Sequence, residues 1–475
     1  MTRFKLFFDS FFVYGLGAIA SKIIPFLMLP LITRLMPSPE YFGLNDMTTV
    51  IISIGQAISV LGMYDAMYRM FFDKDDLKFK KEICSSAQGF VGCISLALFL
   101  FLVIFRNYFS LWFYGSSSYS YLIIIAAVSI LIGSSNTIIS APSKMQNKKL
   151  LFVVTNTLSP LISYIIAIPL LLGGYYTIAM PLATVFSAFL ISLIFFIFNR
   201  QWFSVKKIRW NYIRQMLYIG LPLFPNFILY WIYNSSDRMM IIHMLGTEQS
   251  GIYAIGAKLG QISQIFYSAF ATGWLYYSYT TMKDDDQVLM MSHVFEYMGL
   301  ITFTAGLFIT LVSDWLFALI FPVSYQPGAA VSPYLFLAPL FLMLANVAQS
   351  QILIIKKTWI SPTVLFAGVV VNLLINYILI PRIGIEGAAI GTLLSYGVSV
   401  AIYVLVLTKM KLLRISFKFG GCTVWFLIYF TGWRFFFRLH MPINIIAVLI
   451  SMVFFAAFYF KELNYIILLI RRKKT

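Results

Sequence analysis

Lys22, Arg238 and Lys258 each stand inside a run of apolar residues long enough to cross a bilayer. A charged side chain at the bilayer centre costs about 2.5–3.5 kcal/mol on insertion scales, so it normally faces a cavity or a partner. Arginine presents a planar fork of donors that grips an oxyanion through two bonds, and lysine presents a point charge. Three embedded cations with few embedded anions suit an anionic cargo better than a cationic one. Arg34, on the outer side of the first run, is the fourth candidate for anion binding. Two other readings stay open. Lys258 can snorkel toward the outer surface, and Arg238 can pair with Asp237 or another acid.

The acids Asp46, Asp237 and Glu296 divide the same way. Each can carry a coupling proton or sodium ion, or serve as a structural partner. Asp65 and Arg69 have the i,i+4 spacing of a local helix pair, and the run Asp284, Asp285, Asp286 reads as a solvated turn. Pro25 and Pro30 in the first span, and Pro222 and Pro225 in the seventh, remove backbone hydrogen bonds. They are candidates for hinges or for packing kinks. Tyr230, Trp231 and Tyr233 are candidates for stacking on sugar rings. His243, His293 and His440 do not cluster. Cys84, Cys93 and Cys422 lie in or beside apolar segments without a CxxC spacing. This pattern offers no metal site, disulfide framework or nucleophile, and no cofactor is expected.

The elements that hold these residues follow from composition. The chain has 475 residues, is 60% hydrophobic and only 11% charged, and carries a formal charge of +18. Soluble domains run nearer a quarter charged. The positive charges sit in short clusters between apolar runs, a membrane-surface distribution that argues against nucleic acid. At about 20 apolar residues per crossing, the sequence predicts an all-α polytopic membrane protein with about fourteen transmembrane helices. They are expected at 11–33, 44–66, 83–105, 120–141, 150–172, 176–198, 216–244, 251–279, 294–321, 332–355, 361–380, 387–407, 419–433 and 443–460. The first is too long for the core of a cleavable signal. With both termini placed in the cytoplasm, 27 of the 35 lysines and arginines fall inside, five outside and three within spans. That asymmetry follows the positive-inside rule. The longest outer connection, around 106–119, is too short for a soluble domain. The inner segments 67–82 and 199–215 are basic and expected at an anionic lipid surface.

A shift of 208 positions superposes one half of the sequence on the other. Glu40 and Gly43 meet Glu248 and Gly251, Gln56 meets Gln264, and Lys148 and Lys149 meet Lys356 and Lys357. Thr184 and Ser187 meet Thr392 and Ser395. A parallel repeat of this kind predicts two six-helix bundles around a central cavity, with alternating access by rocking. The expected organisation is a bundle over 1–199 (TM1–6), a basic linker at 200–215, a bundle over 216–408 (TM7–12), and TM13–14 with a basic tail over 409–475.

Two stretches resemble a known family. Residues 21–46 read SKIIPFLMLPLITRLMPSPEYFGLND, and residues 220–258 read GLPLFPNFILYWIYNSSDRMMIIHMLGTEQSGIYAIGAK. Both are similar to the polysaccharide transporters of the multidrug/oligosaccharidyl-lipid/polysaccharide exporter superfamily, and most similar to the O-antigen repeat-unit flippases of the Wzx type. The resemblance covers helices 1 to 12 in length and order. Helices 13 and 14 depart from the twelve-helix members. The lipid II flippases of that superfamily have such an extra pair, which helps to form a groove for the lipid tail.

The resemblance implies an undecaprenyl-pyrophosphate-linked oligosaccharide as cargo (an O-antigen, capsule or exopolysaccharide unit). It would move from the cytoplasmic to the periplasmic leaflet of the bacterial inner membrane. Expected partners are that lipid-linked oligosaccharide, membrane lipid, and a polysaccharide polymerase and chain-length regulator. A lipid II flippase and a cation-coupled multidrug exporter are the alternatives on the same fold. A membrane polymerase or glycosyltransferase is disfavoured, because no loop is large enough to carry its catalytic groups.

Overall fold

The computed structural model describes residues 22–146, 148–460 and 462. Residues 11–21 of the first expected span, Arg3, Lys5, Lys461, the stretch Arg471 to Lys474 and the placement of both termini lie outside the described residues.

Long apolar runs without β-patterned alternation give helices, since only a helix satisfies every backbone group within one segment in lipid. In chain order, α1 runs over 22–35. It is followed by α2 (Pro39–Val60), α3 (Met63–Phe71), α4 (Leu77–Ile104), α5 (Arg106–Tyr114), α6 (Ser120–Met145), α7 (Lys149–Leu172) and α8 (Tyr176–Asn199). Then come α9 (Trp210–Gly220), α10 (Phe224–Leu245), α11 (Thr247–Thr280), α12 (Gln287–Ile320) and α13 (Ser332–Ile354). The remainder are α14 (Ile360–Ile383), α15 (Ile385–Lys409), α16 (Phe417–Gly432) and α17 (Met441–Phe458). Among the described residues, nine helices are long and apolar enough to cross a membrane, or up to eleven if each of two bent pairs is one span. The expected count of fourteen is therefore not reached by length and hydropathy. The chain is a multi-pass membrane protein all the same, and the described part of each expected span is largely helical.

The two bent pairs differ in cause. Between α2 and α3 the axis turns by 48° with no proline at the break. Leu61 and Gly62 both take left-handed backbone angles, φ 47° and 72°, which end one helix and start another. Between α9 and α10 the turn is 53°, and a 3-10 turn over Leu221–Leu223 with Pro222 at its centre makes it. Pro225 sits in the first turn of α10, where a proline is tolerated. Pro25 and Pro30 lie within α1, which continues unbroken past both. The two breaks touch. A Cβ on Gly62 would fall 2.6 Å from the carbonyl oxygen of Gly220, and one on Gly220 would fall 2.8 Å from that of Leu61. Only glycine at both positions lets the two backbones approach this closely.

Packing groups the chain into two compact units. The first runs through Ala254 and includes Ile380–Ile385; the second covers Ile255–Leu379 and continues from Glu386. In the first unit, α2, α5 and α6 enclose a core of Leu44, Met47, Ile51, Phe113, Tyr114 and Ile130, which Ile242 of α10 completes. The connection around 106–119, expected as a loop, is helical. Its α5 buries Phe113 and Tyr114, and the Tyr114 hydroxyl lies 2.7 Å from Thr48 Oγ1. The basic stretch after α8 packs on α4. Ser85 Oγ donates to the Trp202 carbonyl at 3.2 Å, and Arg209 N donates to Ser86 Oγ at 2.9 Å.

In the second unit α12 is the central post. Gly299 and Gly306 leave notches into which the Phe419 and Phe426 rings of α16 fit, and Phe303 stacks on both rings, 5.7 Å and 4.7 Å between centroids. The appended pair α16–α17 is thereby fixed to α12.

Candidate functional site

The expected site residues Asp46, Asp237 and Arg238 come together. Helix α10 lies along α2 in antiparallel register, and three contacts record it. Trp231 Nε1 donates to the Val50 carbonyl and to Ser53 Oγ, both at 3.2 Å. Two turns later, Arg238 Nε donates to Asp46 Oδ2 at 2.5 Å. Beyond the end of α10, Thr247 Oγ1 donates to Glu40 Oε1 at 3.3 Å, which also accepts from Tyr119 OH at 2.6 Å. As the chain advances along α10, its partners retreat along α2, so Arg238 arrives at Asp46.

The close approach has a local cause at the other end. Gly43 of α2 and Gly251 of α11, 208 positions apart, pack backbone to backbone. A Cβ on Gly43 would fall 2.8 Å from Gly251 N, and one on Gly251 would fall 2.7 Å from the Pro39 carbonyl carbon. Each glycine faces the first turn of the other's helix, so the contact is reciprocal.

The Arg238 cluster is dense. Its guanidinium also donates through Nη1 to the Asn234 carbonyl at 2.5 Å and lies 3.5 Å from Asp237 Oδ1. The backbone N–H of Arg238 donates to the same Oδ1 at 2.8 Å, and Tyr253 OH donates to Asp237 Oδ2. The side chains of Arg238, Asp46 and Asp237 are 21%, 12% and 6% exposed. Two carboxyl groups face one guanidinium. The structure therefore holds Arg238 as a paired cation, one of the two readings the sequence left open.

The other candidates are not part of this cluster. Lys22 is half-buried on α1 and forms no ion pair among the described residues. Arg34 is exposed near the end of α1, and Lys258 is half-buried on α11. Trp231 and Tyr233 are engaged in packing, Tyr233 almost fully buried, whereas Tyr230 keeps 46% of its surface open. The Asp65–Arg69 pair expected from spacing does not form among the described ion pairs.

Glu296, buried on α12, accepts three bonds: from Ser416 N at 2.6 Å, Ser416 Oγ at 2.9 Å and Tyr459 OH at 3.1 Å. Arg414 N donates to Ser292 Oγ one turn earlier at 2.9 Å. These bonds fasten the segment before α16 to α12. Arg434 and Arg438 fall in the connection between the last two expected spans, 419–433 and 443–460. They lie in or just after a π-helical turn, Trp433–Phe437, and both are paired. Arg434 forks onto Glu386 at 2.9 and 3.2 Å, and Arg438 reaches Asp314 at 3.0 Å. Glu386 also accepts from Tyr334 OH at 2.8 Å. Tyr253 was missed as a site residue, although it stands in the GIYAIGAK stretch that carries the family resemblance. Its signal was an unspecific tyrosine in an apolar helix.

A family model described as "Polysaccharide biosynthesis protein" matches residues 31–330. A protein of the Lsg locus of Haemophilus influenzae is 22% identical over 303 residues, covering 61% of this chain and 70% of that protein. Among solved structures, the lipid II flippase MurJ in an inward closed conformation superposes with a TM-score of 0.71 at 16% identity, over 95% of this chain and 100% of that one. An inward-facing multidrug resistance MATE family transporter of the MOP superfamily gives a TM-score of 0.60 at 13% identity, over 84% and 95% of the two chains. A MOP superfamily transporter from Pyrococcus furiosus, whose binding pocket is described as having reverse polarity, gives 0.59 at 15% identity, over 84% and 94%. At these identities the structural likeness is one of fold.

Proposed function

From the premise that this chain belongs to the polysaccharide biosynthesis protein family, we propose that it flips a lipid-linked oligosaccharide across the bacterial inner membrane. The fold is that of transporters and flippases, not of enzymes. The observation that carries the reading is the coincidence of the two: a polysaccharide biosynthesis match over 31–330 on a transporter fold that covers 95% of the chain. Fold alone leaves the cargo open; the family narrows it to the saccharide pathway. The cargo in this reading is an undecaprenyl-pyrophosphate-linked repeat unit. Its polar head crosses by alternating access while the prenyl tail stays in lipid, and both termini of the protein face the cytoplasm. A polymerase and a chain-length regulator would act on the delivered unit.

The roles of the candidate residues follow from charge. Lys22, with no ion pair among the described residues, is our first candidate for the pyrophosphate, with Arg34 and Lys258 as secondary contacts. Arg238 grips an anion only by giving up a carboxylate, so cargo and Asp46 compete for one guanidinium. Asp46 and Asp237 set two carboxyl groups against the one guanidinium of Arg238, and are our candidates for a coupling proton or sodium ion. For Glu296 we propose anchoring of α16 in place of coupling. The breaks at Gly62 and at Gly220–Pro222 take the hinge role, with Pro225, Pro25 and Pro30 shaping packing.

The test is made in a deletion strain, by asking which membrane face holds the lipid-linked repeat units. Units trapped on the cytoplasmic face with no surface polymer support the proposal. Units already on the periplasmic face, unpolymerised, overturn it in favour of a polymerase.

One observation favours a second reading. The MurJ superposition extends over 95% of this chain, more than the twelve-helix repeat occupies, which supports a lipid II flippase. Loss of viability on deletion would select it over the repeat-unit flippase.

A further inference from the structure

Apart from the Arg238 cluster, a cleft of about 730 Å³ opens against α3 and α9, with Arg69, Asp73, Asn211, Arg214 and Gln215 along it. We propose that this cleft binds the phosphate of an anionic lipid headgroup in the leaflet at the basic ends of the spans.

The two guanidiniums come from different helices, and neither is in a salt bridge among the described residues. Asp65 stands one turn before Arg69 and does not take it. Asp73 is the single acid lining the cleft, so the lining carries one net positive charge. Two arginines converging on one cavity, flanked by the amides of Asn211 and Gln215, supply the forked donors that phosphate oxygens accept. Away from the cleft lining, α3 and α9 are locked into a buried core through Met63, Met67, Ile213 and Met216, which leaves the cleft preformed. Its remaining wall is apolar and open: Tyr218 is 86% and Leu221 53% exposed. A polar floor with an exposed apolar edge suits an amphiphile better than a free anion. In sequence, Lys74 and Lys78 follow Arg69 and Lys206 and Lys207 precede Asn211, basic segments of the kind that draw anionic headgroups. Both helices join their spans at the touching Gly62 and Gly220, so the site sits on the two bends.

Two sources share this chemistry: a bulk phospholipid, and the pyrophosphate lipid of the proposed function. Only the second rests on that reading. The full-length protein in detergent, with farnesyl pyrophosphate or phosphatidylglycerol added, is assayed by native mass spectrometry for bound lipid. The Arg69→Gln/Arg214→Gln double variant, whose changed side chains are exposed, is expected to bind at least tenfold more weakly, and Asp73→Asn more tightly. A loss confined to farnesyl pyrophosphate assigns the site to cargo; a loss that includes phosphatidylglycerol assigns it to bilayer lipid. Equal binding by all three proteins, or no binding by the native chain, overturns the proposal. The deletion-strain assay is independent of this result, so the flippase reading can fail while the cleft stands.

Discussion

Arg238 and Asp46 are 192 positions apart in the chain, and their side chains meet at 2.5 Å. The charge that looks like an open grip in the sequence is a clamp between α10 and α2. Asp237, its neighbour in sequence, is oriented by the hydroxyl of Tyr253. In the proposed function this cation both stabilises the first unit and is released to cargo.

A double-mutant cycle tests the clamp. Arg238→Gln and Asp46→Asn are each expected to lower the thermal midpoint in detergent, and their effects should fall short of additive by roughly 0.5–3 kcal/mol, the range for contacting charges. Strict additivity would mean that the two side chains do not interact.

Lys22 gives the cleaner test of cargo binding, because no ion pair among the described residues is broken by removing it. Lys22→Ala is expected to abolish surface polysaccharide while the protein remains in the membrane at normal abundance, and Lys22→Arg to retain it. Normal polysaccharide in Lys22→Ala would remove Lys22 from the site.

The glycine contact makes a prediction of opposite signs at two positions. Gly251→Val drives a side chain into the Pro39 carbonyl, and is expected to lower the yield of folded protein sharply. Gly92, inside α4, faces open space: a Cβ added there would meet nothing within 4 Å. Gly92→Ala should raise stability by roughly 0.5–1 kcal/mol, the usual gain for replacing a mid-helix glycine. Similar midpoints for both variants would contradict the close approach of α2 and α11.

Glu296 separates an anchor from a coupling group. Glu296→Ala leaves the Ser416 N–H and hydroxyl without their acceptor, a penalty of about 1–3 kcal/mol. Limited proteolysis should then cut faster in the segment 410–416. If Glu296→Gln stops transport with an unchanged midpoint and an unchanged cleavage rate, Glu296 is a coupling residue instead.

How far the site could be read in advance differs from residue to residue. Arg238, Asp46 and Asp237 stand out in any reading, because a charge inside a 20-residue apolar run is costly enough to need an explanation. Their mutual pairing does not stand out: spacing reveals partners within one helix, and these lie on two helices joined through most of a bundle. Asp65 and Arg69 show the reverse error, a helix-spaced pair that does not close in the fold. The bend at Leu61–Gly62 has no proline to announce it, whereas the one at Pro222 does.

An all-helical, multi-pass membrane protein of the polysaccharide biosynthesis family is legible in the chain before any folding, as are the places of most of its helices. Those properties follow from local quantities: apolar run length, the sign of flanking charge and short motifs at α1, α10 and α11. That α10 packs with α2, that Gly43 meets Gly251 and Gly62 meets Gly220, and that Arg69 and Arg214 share a cleft emerge with the fold alone. Those are relations between distant segments, set by which surfaces fit at van der Waals distance, and residue type along one chain does not encode them directly.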